Sequence, residues 1–439
     1  MQKAVEPADQ IVEPALQGRW TVCALLFVAT TINYIDRQVL SILKPVLSGT
    51  TLHLQPLLPG WPAIESSIQL TDAQYGNVLA AFQIAYALGV IFAGRMVDRL
   101  GCRKGYPLVT GLWSLAAMGH ALVRSISGFI VARFFLGLGE SGNFPAAVKA
   151  TAEWFPQRER ALATGIFNSG ASVGAILAPL AVPWVTLHFG WRASFLLTGV
   201  FSILWIVVWS MRYRTPATAY RSESGGKAQD AVPERAWGSL LAHRQAWAFI
   251  LAKFFTDPVW WFFLFWLPQY FNSRFHADLS HLGPPLVVVY AMSTVGSVFG
   301  GWLPKGFLHI GMSMKLARLA AMLACACLVL PVAFAGAVQS MWVAVALLSV
   351  AAAAHQGWSA NVYTTSSDMF PGRHVATLVS FGQVSGAVGG AIFQPVVGHV
   401  VQWTHSYVPL FIYSAVAYLG ALGVVSLLAP GLRSVHAAE

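Results

Sequence analysis

Long apolar runs recur along the whole chain, and they restrict its fold more than any other feature. Each run is about 20 residues long, the length that a helix needs to cross roughly 30 Å of hydrocarbon. Only 10% of the 439 residues are charged, whereas soluble proteins carry about 25%. The runs form two groups of six, near 20–43, 75–97, 106–124, 126–150, 161–186 and 193–212, and near 247–271, 285–303, 315–337, 341–365, 375–400 and 406–428. The sequence therefore predicts an all-α membrane protein with twelve transmembrane helices.

A polar stretch separates the two groups of apolar runs and divides the chain into predicted units. It is rich in Arg, Ser, Gly and Glu, and Pro216 and Pro233 interrupt any helix there, which is typical of a linker rather than a domain. The predicted units are a cytoplasmic tail at 1–19, a six-helix half at 20–212, the linker at 213–246, a second six-helix half at 247–428 and a cytoplasmic tail at 429–439.

The basic residues are distributed unevenly between the two sides of the predicted membrane. If both termini are cytoplasmic, twenty of the 27 Lys and Arg residues fall in cytoplasmic segments and four on the opposite side. This asymmetry follows the positive-inside rule, so the net charge of +10 indicates orientation in a membrane rather than nucleic-acid binding. The remaining three basic residues, Arg37, Arg133 and Lys253, lie within predicted spans.

The first span carries two adjacent full charges, Asp36 and Arg37. Each costs roughly 2.5 to 3.5 kcal/mol near the centre of a membrane helix, so such residues indicate a substrate or ion pathway. The alternative is a buried ion pair that only fixes helix packing. Adjacent residues on a helix point about 100 degrees apart. Arg37 therefore faces away from Asp36, and its planar guanidinium suits the carboxylate of an anionic substrate.

The fourth span carries Arg133 and Glu140, which share a helix face about 10 Å apart and are too distant to pair directly. Counting the rise per residue places Arg133 at the depth of Asp36, so these two residues are candidate partners. Glu140 has no obvious cationic partner in its own helix, which makes it a candidate proton carrier. The alternative is a structural carboxyl group that is hydrogen-bonded by Asn143 or by a neighbouring helix.

The seventh span combines two charges with a proline and several aromatic residues. Lys253 and Asp257 are four residues apart and can pair, although Lys253 is also close enough to the helix end to extend to the surface. Pro258 frees backbone groups, which membrane helices tolerate where they line a cavity. Trp260 or Trp261 is a candidate to stack on the apolar face of a sugar, and the alternative is that the aromatic residues face lipid.

The tenth span is unusually polar over residues 355–361, H-Q-G-W-S-A-N. These donors and acceptors suit a polyhydroxylated substrate, but they equally suit hydrogen bonds between helices. His355 has no second histidine at a metal-binding spacing. It is therefore predicted to be a structural histidine, with a proton relay as the alternative, and no metal site is predicted.

A short motif repeats between the two halves. The sequence W-F-P-x-R at 154–158 precedes a helix with spaced glycines and a proline, and M-F-P-x-R at 369–373 precedes a similar helix. Repeats in the same order predict two halves related by a pseudo-two-fold axis, with a binding site between them near mid-membrane.

The turn between spans two and three reads G-x-x-x-D-R-x-G-x-R-K over residues 94–104. This pattern resembles the signature loop of the major facilitator superfamily, and the resemblance implies the two-half fold of that superfamily. It also implies a gating role, because the Asp and Arg of that loop clamp neighbouring helix ends in one state of the transport cycle. The matching residues are Gly94, Asp98, Arg99, Gly101 and Arg103. The second half keeps only remnants of the pattern.

Other stretches resemble one branch of the superfamily, the anion:cation symporters, which include bacterial hexuronate and galactonate carriers. The resemblance rests on N-Y-x-D-R at 33–37, Arg133, G-E-x-x-N at 139–143, E-W-F-P at 153–156 and the polar stretch at 355–361. It implies that Asp36 and Glu140 take part in proton coupling and that Arg37 binds the substrate carboxylate.

The predicted function is proton-coupled import of a sugar acid, such as a hexuronate or aldonate, by alternating access in a bacterial inner membrane. Predicted substrate-binding residues are Tyr34, Arg37, Gln83, Tyr86, Trp260, Gln356, Asn361 and Gln383, and predicted proton-coupling residues are Asp36, Arg133 and Glu140. The expected partners are a small organic anion, a proton and the lipid bilayer, and a monomer is expected.

Two alternatives of the same fold stay open at this point. One is an antiporter of organic phosphates or other organic anions, for which Lys253 would supply a second basic residue facing Arg37. The other is a membrane sensor that binds without transporting. An enzyme is not predicted, because the sequence offers no pairing of nucleophile and base, no set of metal ligands and no cofactor-binding loop, so neither a metal nor another cofactor is expected.

Overall fold

A computed structural model describes residues 18–49, 68–215, 240–370 and 372–432, and these residues are almost entirely helical. Most of the two predicted tails and most of the predicted linker lie outside the described residues. Residues 50–67, which follow the first span and contain three prolines, also lie outside the described residues.

Within the described residues, the first half contains six α-helices: α1 Arg19–Leu47, α2 Asp72–Gly119, α3 Ile126–Glu140, α4 Asn143–Trp154, α5 Gln157–Phe189 and α6 Trp191–Arg212. The second half also contains six: α7 Arg244–Phe275, α8 Gly283–His309, α9 Met314–Val329, α10 Met341–Met369, α11 Gly372–Thr404 and α12 Val408–Leu428.

Helices of the described segments account for the twelve predicted crossings. Nine stretches are long and apolar enough to cross a membrane by themselves. One of them is α2, which contains two crossings, because Gly101 (φ 70°, ψ 160°) divides it with a backbone conformation that favours glycine. Helices α3 and α4 together form one crossing that is interrupted at Ser141 and Gly142. Helix α1, with its internal charges, is the remaining crossing, and the all-helical membrane fold is confirmed.

The predicted repeat is visible in the backbone. Phe155 ends α4 with φ −114° and ψ 137°, and Phe370 ends α10 with φ −125° and ψ 147°. Both residues precede a proline in the sequence, and a proline disfavours the helical conformation of the residue before it. The same local cause therefore ends equivalent helices in the two halves.

The two halves meet through α1 with α7, α2 with α11, and α5 with α8. We call the end of the bundle where α6 ends and α7 begins the linker end, and the opposite end the far end. Towards the far end, Ser41 and Tyr75 of the first half both donate to the carbonyl oxygen of Phe265 in the second, at 2.6 and 2.8 Å. Gly76 lies against the backbone of Gln394, where a Cβ atom would be 2.5 Å from the carbonyl oxygen. These contacts close the halves against each other at the far end.

Candidate functional site

A cavity of about 370 Å³ lies between the two halves. Its lining extends towards the linker end, because it includes Thr164 near the start of α5, Lys253 near the start of α7 and Tyr363 near the end of α10. The lining residues are Thr30, Asn33, Tyr34, Arg37, Tyr86, Glu140, Asn143, Phe144, Thr164, Asn168, Lys253, Asp257, Trp260, Trp261, His355, Gln356, Ser359, Tyr363, Val379, Gln383 and Ala387. The cavity is therefore polar, is shared by both halves and lies on the linker-end side of the far-end contacts.

A larger groove of about 610 Å³ lies between α2 and α3, but its character differs. Its lining is apolar apart from two serines, and Leu115 and Val131 within it are exposed. A groove without charge on the outer surface of a membrane protein suits lipid chains, so we place the functional site in the central cavity.

An ion pair between Arg37 and Glu140 forms the wall of the cavity in the first half. The Arg37 Nε and Glu140 Oε2 atoms are 2.5 Å apart, and the two side chains are only 4% and 0% exposed. The second carboxylate oxygen of Glu140 has no hydrogen-bond partner among the described residues. Arg37 is the cation in direct contact with Glu140, and the charge of Arg133 also reaches this carboxylate. A change in the protonation of Glu140 therefore acts directly on Arg37.

Aromatic rings surround the Arg37 guanidinium. Its central carbon lies 4.9 Å from the ring centroids of Tyr34 and Tyr86 and 5.6 Å from those of Phe82 and Trp261. Such faces attract a cation without neutralising it. The two terminal nitrogens of Arg37 make no hydrogen bond to any described residue and are not fully buried. The fork that matches a carboxylate in two hydrogen bonds is thus open towards the cavity.

Asp36 and Arg133 lie behind this wall and do not line the cavity. Arg133 is fully buried and donates to the backbone oxygen of Arg37 at 3.3 Å. Asp36 points towards Thr198 of α6. In the described part of the chain no ion pair joins Asp36 to Arg133, so the predicted pairing is not made. The two charges still act on each other at a longer distance. Equal depth in the membrane did not give a direct contact, because the rotation of each helix about its axis decides which way a side chain points.

Lys253 and Asp257 form the corresponding charged wall in the second half. Their Nζ and Oδ2 atoms are 2.9 Å apart, and Lys253 also donates to the hydroxyl of Tyr363 at 3.0 Å. The Lys253 ammonium lies 4.4 Å from the centroid of the Tyr363 ring. The predicted pairing within α7 is therefore made, and Lys253 faces the cavity instead of extending to the surface.

Trp260, Trp261 and His355 are all part of the cavity wall. Trp260 stacks on His355 with ring centroids 5.1 Å apart and an angle of 5° between the planes, and Nδ1 of His355 lies 2.7 Å from the hydroxyl of Tyr418. Trp261 lies beside Arg37 instead. The stacking fixes the orientation of the Trp260 ring, while both tryptophans keep contact with the cavity.

The polar residues of the tenth span divide between the two predicted roles. Gln356 lines the cavity, whereas the Asn361 amide donates to the backbone oxygens of Gly300 and Gly357, both at 2.9 Å. Asn361 thus links α10 to α8 and does not face the cavity. Gln383 lines the cavity, and Gln83 is buried between α2 and α11, where a Cβ atom on Gly390 would lie 3.2 Å from it.

Several lining residues were missed in the sequence, although helical spacing would have found them. Thr30 and Asn33 precede Arg37 by seven and four positions on α1, so all three share a face. Thr164 and Asn168 are four apart on α5, and Ser359 follows Gln356 by three on α10. Their uncharged side chains resemble helix-packing groups. Asn33 and Ser359 lie within the stretches quoted at 33–37 and 355–361 but were not assigned to the site.

The residues of the predicted gating loop lie at the linker end. Asp98 pairs with Lys149 of α4 at 2.9 Å, and Lys149 also donates to the backbone of Val97 at 3.1 Å. Arg99 and Arg103 are exposed, and Gly94 is partly buried. The second half has a comparable link, because Arg318 of α9 pairs with Asp368 of α10 at 2.5 Å. Each half thus carries its own ion pair between helix ends at the linker end.

A polar, charge-lined cavity between two repeated bundles of membrane helices defines an integral membrane transport protein rather than an enzyme. The sequence model of the family described as Major Facilitator Superfamily matches residues 26–394, and the chain belongs to this superfamily.

Curated relatives and a solved structure agree with this family. The chain is 29% identical over 423 residues to a hexuronate transporter of Escherichia coli (strain K12), covering 93% of this chain and 94% of that protein. It is 30% identical over 301 residues to a galacturonate transporter of Dickeya chrysanthemi, covering 66% and 82% of the two chains. A crystal structure of a D-xylose–proton symporter superposes with a TM-score of 0.71 over 92% of this chain and 97% of its own, at 14% identity, which shows the shared fold.

Proposed function

We propose that this protein is a proton-coupled symporter that imports a sugar acid, such as a hexuronate or an aldonate, by alternating access. It acts in the inner membrane of a bacterium with both termini in the cytoplasm. The asymmetric distribution of basic residues supports this orientation. With this orientation, the cavity extends towards the cytoplasm and the far-end contacts close the outer side.

The Arg37–Glu140 pair carries the proposal. A carboxylate substrate needs the charge of Arg37, and the same charge is held by Glu140 at 2.5 Å. Protonation of Glu140 removes its negative charge and frees Arg37 for the substrate, so one proton and one carboxylate enter the site together. The total charge of the buried site then stays constant during loading, which avoids the cost of several kcal/mol for an unpaired buried charge.

Asp36 and Arg133 support the coupling from behind the cavity wall. Arg133 contacts the backbone of Arg37, and Asp36 is a buried carboxylate next to Arg37 in the chain. Protonation of Asp36 removes a second buried charge and allows α1 to shift against α3. In this proposal the loop at 94–104 stabilises one of the two arrangements of the halves.

Uncharged groups recognise the rest of the substrate. Tyr34, Tyr86, Gln356 and Gln383 offer donors and acceptors for sugar hydroxyls, and Trp260 offers an aromatic face. The relatives named as hexuronate and galacturonate transporters support a sugar acid as the substrate class. Asn361 and Gln83 contribute by packing helices together in the conformation described here.

Organic phosphates are a less suitable substrate for this cavity. A phosphate dianion needs at least two unpaired cations, yet Arg37 and Lys253 are each paired with a carboxylate. Within the cavity, the proton on Glu140 balances one negative charge beside Arg37, because Asp36 is not part of the lining. A dianion would therefore leave an extra negative charge in the cavity, whereas a monocarboxylate leaves none.

The test is uptake of labelled galacturonate, glucuronate and galactonate into proteoliposomes, with and without an inward proton gradient. The native chain is compared with Glu140→Gln and with the matched control Glu159→Gln, which removes the charge that Glu159 contributes to its partly exposed pair with Arg19 outside the cavity. We expect Glu140→Gln to abolish gradient-driven accumulation while exchange of preloaded substrate survives. We expect Glu159→Gln to behave as the native chain.

Two results would contradict the proposal. If none of the three sugar acids is taken up, the proposed substrate class is wrong. If uptake by the native chain does not depend on the proton gradient, the proposed proton coupling is wrong.

A further inference from the structure

We propose that the Lys253–Asp257 pair makes the second-half side of the cavity neutral and thereby selects sugar acids with one carboxylate over those with two. This inference rests on the proposed function, because it assigns the first carboxylate of the substrate to Arg37. It concerns the other end of the substrate, where a hexuronate or aldonate has uncharged oxygens and an aldarate has a second carboxylate.

The placement of the pair supports this role. Lys253 and Asp257 line the same cavity as Arg37 but belong to the opposite half. A substrate held by Arg37 therefore extends towards them. The side chains of Lys253 and Asp257 are 6% and 18% exposed, so bulk water screens them little.

The pair can bind hydroxyl groups without carrying net charge. A lysine ammonium has three donors, of which one goes to Asp257 and one to the Tyr363 hydroxyl. One donor is left for a substrate oxygen. The Oδ1 atom of Asp257 makes no hydrogen bond to the described residues and is not fully buried, so it can accept from a substrate hydroxyl.

A second carboxylate on the substrate would be unfavourable beside this neutral pair. The positive charge of Lys253 is already cancelled by Asp257 at 2.9 Å. A carboxylate brought beside this pair loses its hydration and is repelled by Asp257, and the described lining residues offer no further unpaired Lys or Arg to compensate it. The neutral pair therefore favours the monoanion.

The charge of Asp257 can be removed by a substitution that keeps the shape of the side chain. Its carboxylate lies directly against Gly386 of α11, where an added Cβ atom would be 2.1 Å from Oδ2. The site thus accommodates the aspartate because residue 386 has no side chain. Asparagine has almost the same size as aspartate, so Asp257→Asn removes the charge and leaves Lys253 as an unpaired cation.

The experiment measures dissociation constants of galacturonate and galactarate at one fixed neutral pH, by competition against labelled galacturonate on the purified full-length chain. Four proteins are compared: the native chain, Asp257→Asn, Lys253→Met and the double variant. The net charge of the pair is zero, positive, negative and again zero. Only the ratio of the two constants within each protein is used, so a partly inactive preparation does not distort the result.

We expect the native chain to prefer galacturonate. Asp257→Asn shifts the ratio towards galactarate by about tenfold or more, Lys253→Met shifts it the opposite way, and the double variant returns close to the native ratio. If Asp257→Asn does not fold, the difference between Lys253→Met and the double variant still tests the inference.

The failures of the two proposals can be told apart. A ratio that stays the same in all variants while galacturonate still binds overturns the selection by the pair and leaves the proposed function intact. A native chain that binds neither sugar acid overturns both.

Discussion

The two ion pairs of the cavity have the same charges but a different construction. Arg37 and Glu140 are 103 residues apart in the chain and lie on different helices, α1 and α3. Lys253 and Asp257 are four residues apart on the single helix α7. A pair between helices breaks or forms when the helices move, whereas a pair within one helix moves with it as a unit. We infer that the first pair is suited to coupling and the second to recognition.

The two cations, Arg37 and Lys253, also differ in how many donors they keep available for a substrate. Arg37 keeps two terminal nitrogens open beside its bond to Glu140, so it can exchange one carboxylate for another through an intermediate that holds both. Lys253 is a compact ammonium that already uses bonds to Asp257 and Tyr363. Arginine presents a planar fork of donors and lysine a single point charge, and the comparison can be tested by exchanging them.

The largest effect is expected for Arg37→Lys. A single ammonium cannot hold Glu140 and also bind a carboxylate in two parallel hydrogen bonds, so substrate exchange in proteoliposomes should fall by about 100-fold or more, a loss of roughly 3 kcal/mol of interaction. The matched control is Lys253→Arg, which keeps the charge within α7 and should lose less than about tenfold. Equal losses of substrate exchange in the two variants would show that the two ion pairs do not have different roles.

An intermediate effect is expected for Lys253→Met. The variant removes a donor to the substrate and leaves Asp257 unpaired in the cavity, which should weaken galacturonate binding by about tenfold to 100-fold. The factor by which a proton gradient stimulates uptake should stay close to that of the native chain, because Glu140 is untouched. The measurement is uptake over a range of substrate concentrations, with and without the gradient. Loss of the gradient response would place coupling in the second half as well.

The smallest effect is expected for Tyr363→Phe. It removes the hydroxyl that accepts from Lys253 at 3.0 Å but keeps the ring beside the ammonium. One hydrogen bond contributes about 0.5 to 1.5 kcal/mol, so galacturonate affinity in the competition assay should fall by about two- to tenfold. Tyr413→Phe is the control, because the Tyr413 hydroxyl donates to the Phe255 backbone away from the cavity lining. A larger loss in the control would indicate general damage to the fold.

Much of this architecture followed from local features of the sequence. The apolar runs predicted the crossings, because each must satisfy its own backbone hydrogen bonds in lipid. The W-F-P and M-F-P motifs predicted a repeat, and the same extended backbone at Phe155 and Phe370 reflects it. The pairing of Lys253 with Asp257 was also predictable, because residues four apart on a helix are neighbours whatever surrounds them.

The contacts between helices were not predictable in this way. Depth counting predicted a pair of Asp36 with Arg133, but the structure joins Arg37 to Glu140 and directs Asp36 towards α6. Gln356 and Asn361 are five positions apart on α10, and Gln356 lines the cavity whereas Asn361 lies against α8. Spacing along one helix does not tell which of its faces meets the cavity.

By itself, therefore, the sequence determined the all-helical membrane fold, the repeated halves and the identity of the charges that the membrane has to accommodate. These depend on hydrophobicity and on contacts within a few residues. Only the tertiary structure decided which charges on different helices meet, which amides face the cavity and which backbone carbonyls join the two halves at the far end. Those outcomes depend on how each helix is rotated about its axis and packed against helices that are distant in the sequence, and no local pattern encodes that rotation.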